Sequence, residues 1–123
     1  MKTLRVLTFI FSILFVNACS KSDLEGLNGK WKLTEQLADP GDGSGKWMRS
    51  EAKNSYIIFN ADGTVSGNLY VNYKFYNVID STKIEFTLQD DTKRVLFYKL
   101  SGGSLEIMGA CIEACGSRFR KEN

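Results

Sequence analysis

From residue 29 onward the chain is cut by turn-forming residues at intervals of roughly 8–12 positions, and the segments between the cuts are short and rich in β-branched and aromatic side chains. That cadence leaves almost no room for helix and calls for an antiparallel meander. Residues 30–37 put Trp31, Leu33 and Leu37 on one face, with Glu35 as the exception. Residues 55–59 lead into Asn60, Ala61, Asp62 and Gly63, a turn in which Gly63 can take positive φ, and the chain returns through Thr64, Val65 and Ser66 as a hairpin. Residues 83–88 alternate strictly and place Ile84, Phe86 and Leu88 inward; residues 93–100 place Leu96, Tyr98 and Leu100 inward. Residues 104–108 and 118–121 form the last two short segments. Residues 69–79 carry Tyr70, Tyr73, Phe75 and Tyr76 with a blurred alternation that leaves their faces open. The expected fold class is all-β: a small antiparallel meander, which a closed barrel would relieve of both unpaired edges.

The residues ahead of this domain read differently. A basic start containing Lys2 and Arg5 runs into the uncharged apolar stretch 6–16 and ends at Val16, Asn17, Ala18 and Cys19. The apolar run is too short for a spanning helix, which needs roughly 20 residues. It has the order of a secretory signal, and it resembles the lipobox of bacterial lipoproteins. That resemblance implies removal of residues 1–18 and acylation of Cys19 with chains such as palmitate, so that residues 19–28 become a tether with a short N-terminal turn around Leu24 and Leu27. Residues 29–123 would be the barrel. The implied address is the bacterial cell envelope, lipid-anchored at the outer membrane on its periplasmic or surface side. Asp23 and Glu25 partly resemble a surface-export signal, and a solvated tether is the preferred explanation for them.

Cleavage there leaves 105 of the 123 residues, one small domain. Lys2 and Arg5 account for the formal +2, so 14 basic and 14 acidic side chains remain, interspersed along the chain. No basic stripe survives to bind nucleic acid. The sequence has no histidine, which removes Ser-His and Cys-His dyads and the commonest metal ligand. No catalytic residue, metal or cofactor is expected.

With Cys19 acylated, Cys111 and Cys115 are left as a pair in an oxidising compartment, and a structural disulfide is expected. The bridge cannot form across a flat strand, because four extended steps exceed the Cα separation a disulfide tolerates, so the segment must curl. Residues 39–45 hold the only proline and three glycines and read as a long solvated loop ending at Lys46, Trp47 and Met48, an aromatic rim. The loop fails the spacing of a phosphate loop, and Asp39 and Asp42 match no EF-hand pattern.

Gly29, Lys30 and Trp31 open the first strand, and Arg118 and Arg120 lie in the last. In this the chain resembles the lipocalins and the wider calycin group, specifically compact bacterial lipocalin-like lipoproteins, although it is considerably shorter than the larger lipocalins. The resemblance implies a barrel-closing set of Gly29, Trp31, Arg118 and Arg120, with an arginine over the indole, a contact of about 0.5–2 kcal/mol. It also implies non-enzymatic binding of a small apolar or amphipathic ligand. Glu35, Trp47, Tyr56, Tyr73 and Tyr98 are the candidate ligand contacts. Glu35 faces the barrel mouth if its strand is regular and outward if a bulge intervenes; the tyrosines suit a pocket wall or a packed core. The alternative function is a protein-interaction module, an inhibitor or assembly factor, with a filled barrel.

Overall fold

A computed structural model of the chain describes residues 26–109, 111–112 and 114–123. Residues 1–25, which include the expected signal peptide, Cys19 and most of the expected tether, lie outside the described residues. Nine strands follow a short helical turn at Gly26 and Leu27: β1 (Gly29–Ala38), β2 (Lys46–Arg49), β3 (Tyr56–Phe59), β4 (Val65–Gly67), β5 (Tyr73–Val78), β6 (Lys83–Leu88), β7 (Lys93–Ser101), β8 (Ser104–Met108) and β9 (Gly116–Glu122).

Every pairing is antiparallel, and the order β4-β3-β1-β9-β8-β7-β6-β5 is the up-and-down meander expected from the turn spacing. β2 pairs with the second half of β1, beyond the stretch that β3 occupies. The two ends of the sheet meet at a bridge between Thr64 and Phe75, with the Tyr76 amide donating to the Gly63 carbonyl at 2.9 Å. The sheet is thereby nearly closed into a barrel, and the edges of β4 and β5 are largely hidden.

The strictly alternating strands behave as their pattern dictates. Ile84, Phe86, Leu96, Tyr98, Leu105, Ile107 and Phe119 point inward and are buried. One end of the barrel is filled by Leu27, Trp31, Phe59, Tyr76 and Ile84. The Trp31 ring is fully buried, and its indole N–H donates to the Leu27 carbonyl at 2.7 Å, which ties the N-terminal turn under the barrel. The Tyr76 hydroxyl sits within hydrogen-bond distance of Asn28 Oδ1 (3.0 Å) and the Asn60 carbonyl (2.9 Å), so the same end is laced by polar contacts. Among the described residues no polar or charged side chain is fully buried and no buried side-chain polar atom lacks a partner.

Two bulges explain where simple alternation fails. The β1–β9 register shifts between Leu33 and Glu35, and the β5–β6 register shifts between Tyr73 and Phe75. An extra residue in one strand changes which face the following side chains occupy. Tyr73 and Tyr76, three apart, are therefore both buried, which resolves the blurred pattern of residues 69–79.

The connections share one device. Asp42, Asp62, Asp80 and Asp90 each stand two residues before a Ser or Thr, and each Oδ1 accepts from that residue's backbone N–H and hydroxyl. Asx turns of this kind close a loop with the residue's own side chain. In the 60–63 turn Gly63 takes φ +87°, where a Cβ would strain the backbone. These hydrogen bonds hold all four carboxyls below their ordinary value of 3.8: the Ser or Thr side chain contributes most at Asp42, Asp62 and Asp90, and the Thr82 amide contributes most at Asp80.

A carboxyl whose pKa is depressed by folding stabilises the fold fully above its unfolded pKa and loses that contribution as pH falls through the folded one. The urea midpoint should be flat above about pH 5 and should fall below about pH 4, with Asn at positions 62, 80 and 90 flattening the fall. An acid limb unchanged by those substitutions would refute the assignment. Trp31→Ala should cost about 3–5 kcal/mol in equilibrium denaturation, since it empties the filled end; a loss below about 1 kcal/mol would show that Trp31 does not hold it.

Candidate functional site

Opposite the Trp31 end, the inward side chains stop short of filling the barrel. A cavity of about 480 Å³ opens to solvent there, within the size range of small-molecule sites. Its walls are Tyr73, Leu96 and Ile107, supplied by the first residue of β5, the fourth of β7 and the end of β8. Gln36 from β1, Ser117 from β9, Arg94 from β7 and Tyr70 add polar groups around them.

Tyr70 has φ +53°, an unusual conformation for a bulky side chain. Its ring stacks on Tyr73 with centroids 5.0 Å apart, and Tyr73 stacks in turn on Phe86 at 4.6 Å. The Tyr70 hydroxyl reaches across to β9 and donates to Ser117 Oγ at 3.3 Å. Burial pushes that hydroxyl above the ordinary phenol range, against the opposing effect of the Ser117 hydrogen bond, so it stays a neutral donor.

Arg94 pairs with Phe86 across β6 and stands two residues before the inward Leu96, so its side chain leaves β7 on the interior face. It is exposed at the mouth, and among the described residues no hydrogen bond or ion pair engages its guanidinium. No carboxylate is among the described residues lining the cavity.

Cys111 and Cys115 form a disulfide with a Cα separation of 5.9 Å, and both border the cavity. The curl needed for that bridge is held by the Gly109 amide, which donates to the Cys115 carbonyl at 3.0 Å. A Cβ on Gly109 would collide with the Cys115 sulfur, so the glycine lets the bridge sit against the strand end.

Several sequence-predicted site residues lie elsewhere. Glu35 follows the β1 bulge and faces outward, where Arg118 bridges it (3.2 Å) and Glu106 (2.9 Å). Glu106 is outward because Leu105 and Ile107, its neighbours, are buried inside. Trp47 is on the same outer wall and not at the mouth: the Arg118 guanidinium lies 3.8 Å from its ring centroid. Gly116 permits that arrangement, because a Cβ there would stand 3.0 Å from the Trp47 ring and 2.7 Å from the Met108 sulfur. Hydrogen bonds that Arg118 donates to Glu106 and Glu35 raise its pKa above its ordinary value, and the ion pairs stay partly exposed and screened.

Tyr56 is also outside, under Lys30 Nζ at 4.4 Å, because its neighbour Ile57 is the inward residue of β3. Tyr98 is inside but belongs to the packed core, with its hydroxyl donating to the Asp80 carbonyl at 3.0 Å. Of the five candidate ligand contacts, Tyr73 alone lines the cavity.

The cation at the closed end is likewise a different residue. Phe119 is buried inward, so Arg118 and Arg120 on either side of it face out and cannot cover Trp31. Lys121 has the required parity: it pairs with Trp31, its Nζ lies 5.5 Å from the ring centroid, and it reaches the Gly26 carbonyl at 3.4 Å. Gly29, with φ +120°, begins the strand beside Lys121.

Sequence reasoning missed Arg94, Gln36 and Ser117 as cavity residues and left Tyr70 among the general aromatics. Arg94 was within reach, since the inward set Leu96, Tyr98, Leu100 extends backwards to it. Tyr70 carries no such signal, because its position depends on a single positive φ. The 39–45 loop is organised by Asp39, whose carboxylate accepts from the Gly41, Gly43 and Gly45 amides at 2.8, 3.2 and 3.2 Å, and the Gly41 hydrogen bond chiefly lowers its pKa. Among the described residues no group of three or more acidic or cysteine side chains is placed to hold a metal. The site offers apolar and aromatic walls, neutral hydroxyl and amide groups, and one cation.

Residues 27–108 match the family model described as a lipocalin-like domain. No curated protein and no solved structure matches the chain.

Proposed function

The chain belongs to the lipocalin-like domain family, and on that premise we propose that it is a non-enzymatic, lipid-anchored protein of the bacterial cell envelope that binds a small apolar or amphipathic molecule in the open end of its barrel. The observation that carries the binding reading is the half-filled interior: the Trp31 end is packed solid, whereas the opposite end keeps a cavity of about 480 Å³ walled by Tyr73, Leu96 and Ile107. Burying an apolar body there removes hydrophobic surface from water, and the neutral groups around it can orient a polar end. The envelope reading is supported by the basic start, the short apolar run and Ala18-Cys19 in the sequence.

An interaction module is the second reading. It is favoured by Val95 and Phe97, neighbours on the outer face of β7 that remain 44% and 58% exposed. Exposed apolar patches of this kind are typical docking surfaces.

Ser117 faces the cavity from β9, so Ser117→Trp should fill it without entering the packed end. The variant should keep a cooperative unfolding transition and weaken binding of the neutral fluorophore N-phenyl-1-naphthylamine about tenfold or more. Unchanged affinity in the folded variant would count against the cavity as the binding site. Cys19→Ala should accumulate as an uncut or soluble form in cell fractionation; normal processing with membrane recovery would defeat the lipid anchor.

A further inference from the structure

We propose that Arg94 is a specificity-determining residue that selects ligands carrying an anionic head, so that the site prefers small amphipathic carboxylates with an aromatic or aliphatic body. This rests on the cavity being the binding site and adds the chemistry of its ligand.

Three observations converge. Arg94 leaves β7 on the interior face, fixed by its pairing with the buried Phe86 and its two-residue offset from Leu96. It borders the cavity at the mouth, where a ligand's head would sit once its body lies against Ile107 and the stacked Tyr70–Tyr73 pair. Its guanidinium has no ion pair among the described residues, although Arg118, two strands away on β9, is engaged by two carboxylates. The nearby acid Asp90 accepts from the Thr92 amide at 3.0 Å and hydroxyl at 2.6 Å; it attracts Arg94 through space, without a hydrogen bond or an ion pair between them. Asp80 is engaged in a turn and Glu122 in an outer-wall pair with Lys30, and none of the described cavity residues is acidic.

A planar guanidinium beside a partly desolvated pocket matches a carboxylate with two parallel hydrogen bonds. The Ser117 hydroxyl, which accepts from Tyr70, and the Gln36 amide provide neutral donors around the same opening. Such a site rewards an ionised head over a neutral one of equal size.

The test uses the full-length protein and a matched pair with one body, 1-naphthylacetate and its neutral amide 1-naphthylacetamide, titrated by calorimetry at neutral pH. Wild type should bind the carboxylate about tenfold more tightly than the amide. Arg94→Gln should erase that preference, bringing the ratio of carboxylate to amide affinity to about one, and Arg94→Lys should restore part of it. Among the described residues no hydrogen bond or ion pair of the Arg94 side chain is lost in these variants, and a native circular dichroism spectrum checks each one. A wild-type protein that binds both compounds equally, or an Arg94→Gln variant that keeps the preference, would overturn the role of Arg94 while leaving the cavity as a binding site. If neither compound binds wild type, the cavity reading fails with it.

Discussion

The seating of Trp31 decides what the rest of this barrel can be. A closed sheet must either fill its interior with side chains or leave room inside, and here the two solutions occupy opposite ends of one molecule. Trp31 is large enough to block one end, and its buried N–H is satisfied by the Leu27 carbonyl. That hydrogen bond draws the N-terminal turn beneath the strands, and Lys121 covers the ring while donating to Gly26. With Phe59, Tyr76 and Ile84 packed alongside, one end is sealed. The other end has no comparable residue: Ser117 and Gln36 are small or polar, and the aromatic layer of Tyr70, Tyr73 and Phe86 forms a wall.

The sequence exposed this architecture unevenly, for physical reasons. Strands β6 and β7 sit half-buried without irregularity, so Ile84, Phe86, Leu96 and Tyr98 could be assigned by period two alone. The meander followed from the spacing of turn residues, and the Asx hydrogen bonds that close several of those turns emerged only in the structure. What alternation cannot reveal is a bulge. The register shift after Leu33 turned Glu35 from a candidate mouth residue into an outer-wall partner of Arg118. The shift after Tyr73 made two tyrosines three apart share the interior. Trp47 was misplaced for a related reason: its position depends on pairing with β1 beyond the bulge, and on Gly116 leaving space above the sheet.

The closed-end cation illustrates how register outranks residue type. An arginine was expected over Trp31 by resemblance, yet the inward position of Phe119 sends Arg118 and Arg120 outward and leaves Lys121 with the correct parity. Lys121 meets both requirements of that position, a cation over the indole and a donor to the N-terminal turn. The displaced Arg118 organises the outer wall, and Arg94 remains as the one cation bordering the cavity among the described residues.

The central claim is that the interior is divided into a packed end and a ligand-accessible end. Solution NMR of the isotopically labelled protein, titrated with N-phenyl-1-naphthylamine, reads that division residue by residue. The account predicts shift changes and ligand contacts concentrated at Tyr73, Leu96, Ile107 and Ser117, with Trp31, Phe59 and Ile84 unmoved. Contacts confined to Val95 and Phe97 on the outer face, or a ligand lodged against Trp31, would contradict it.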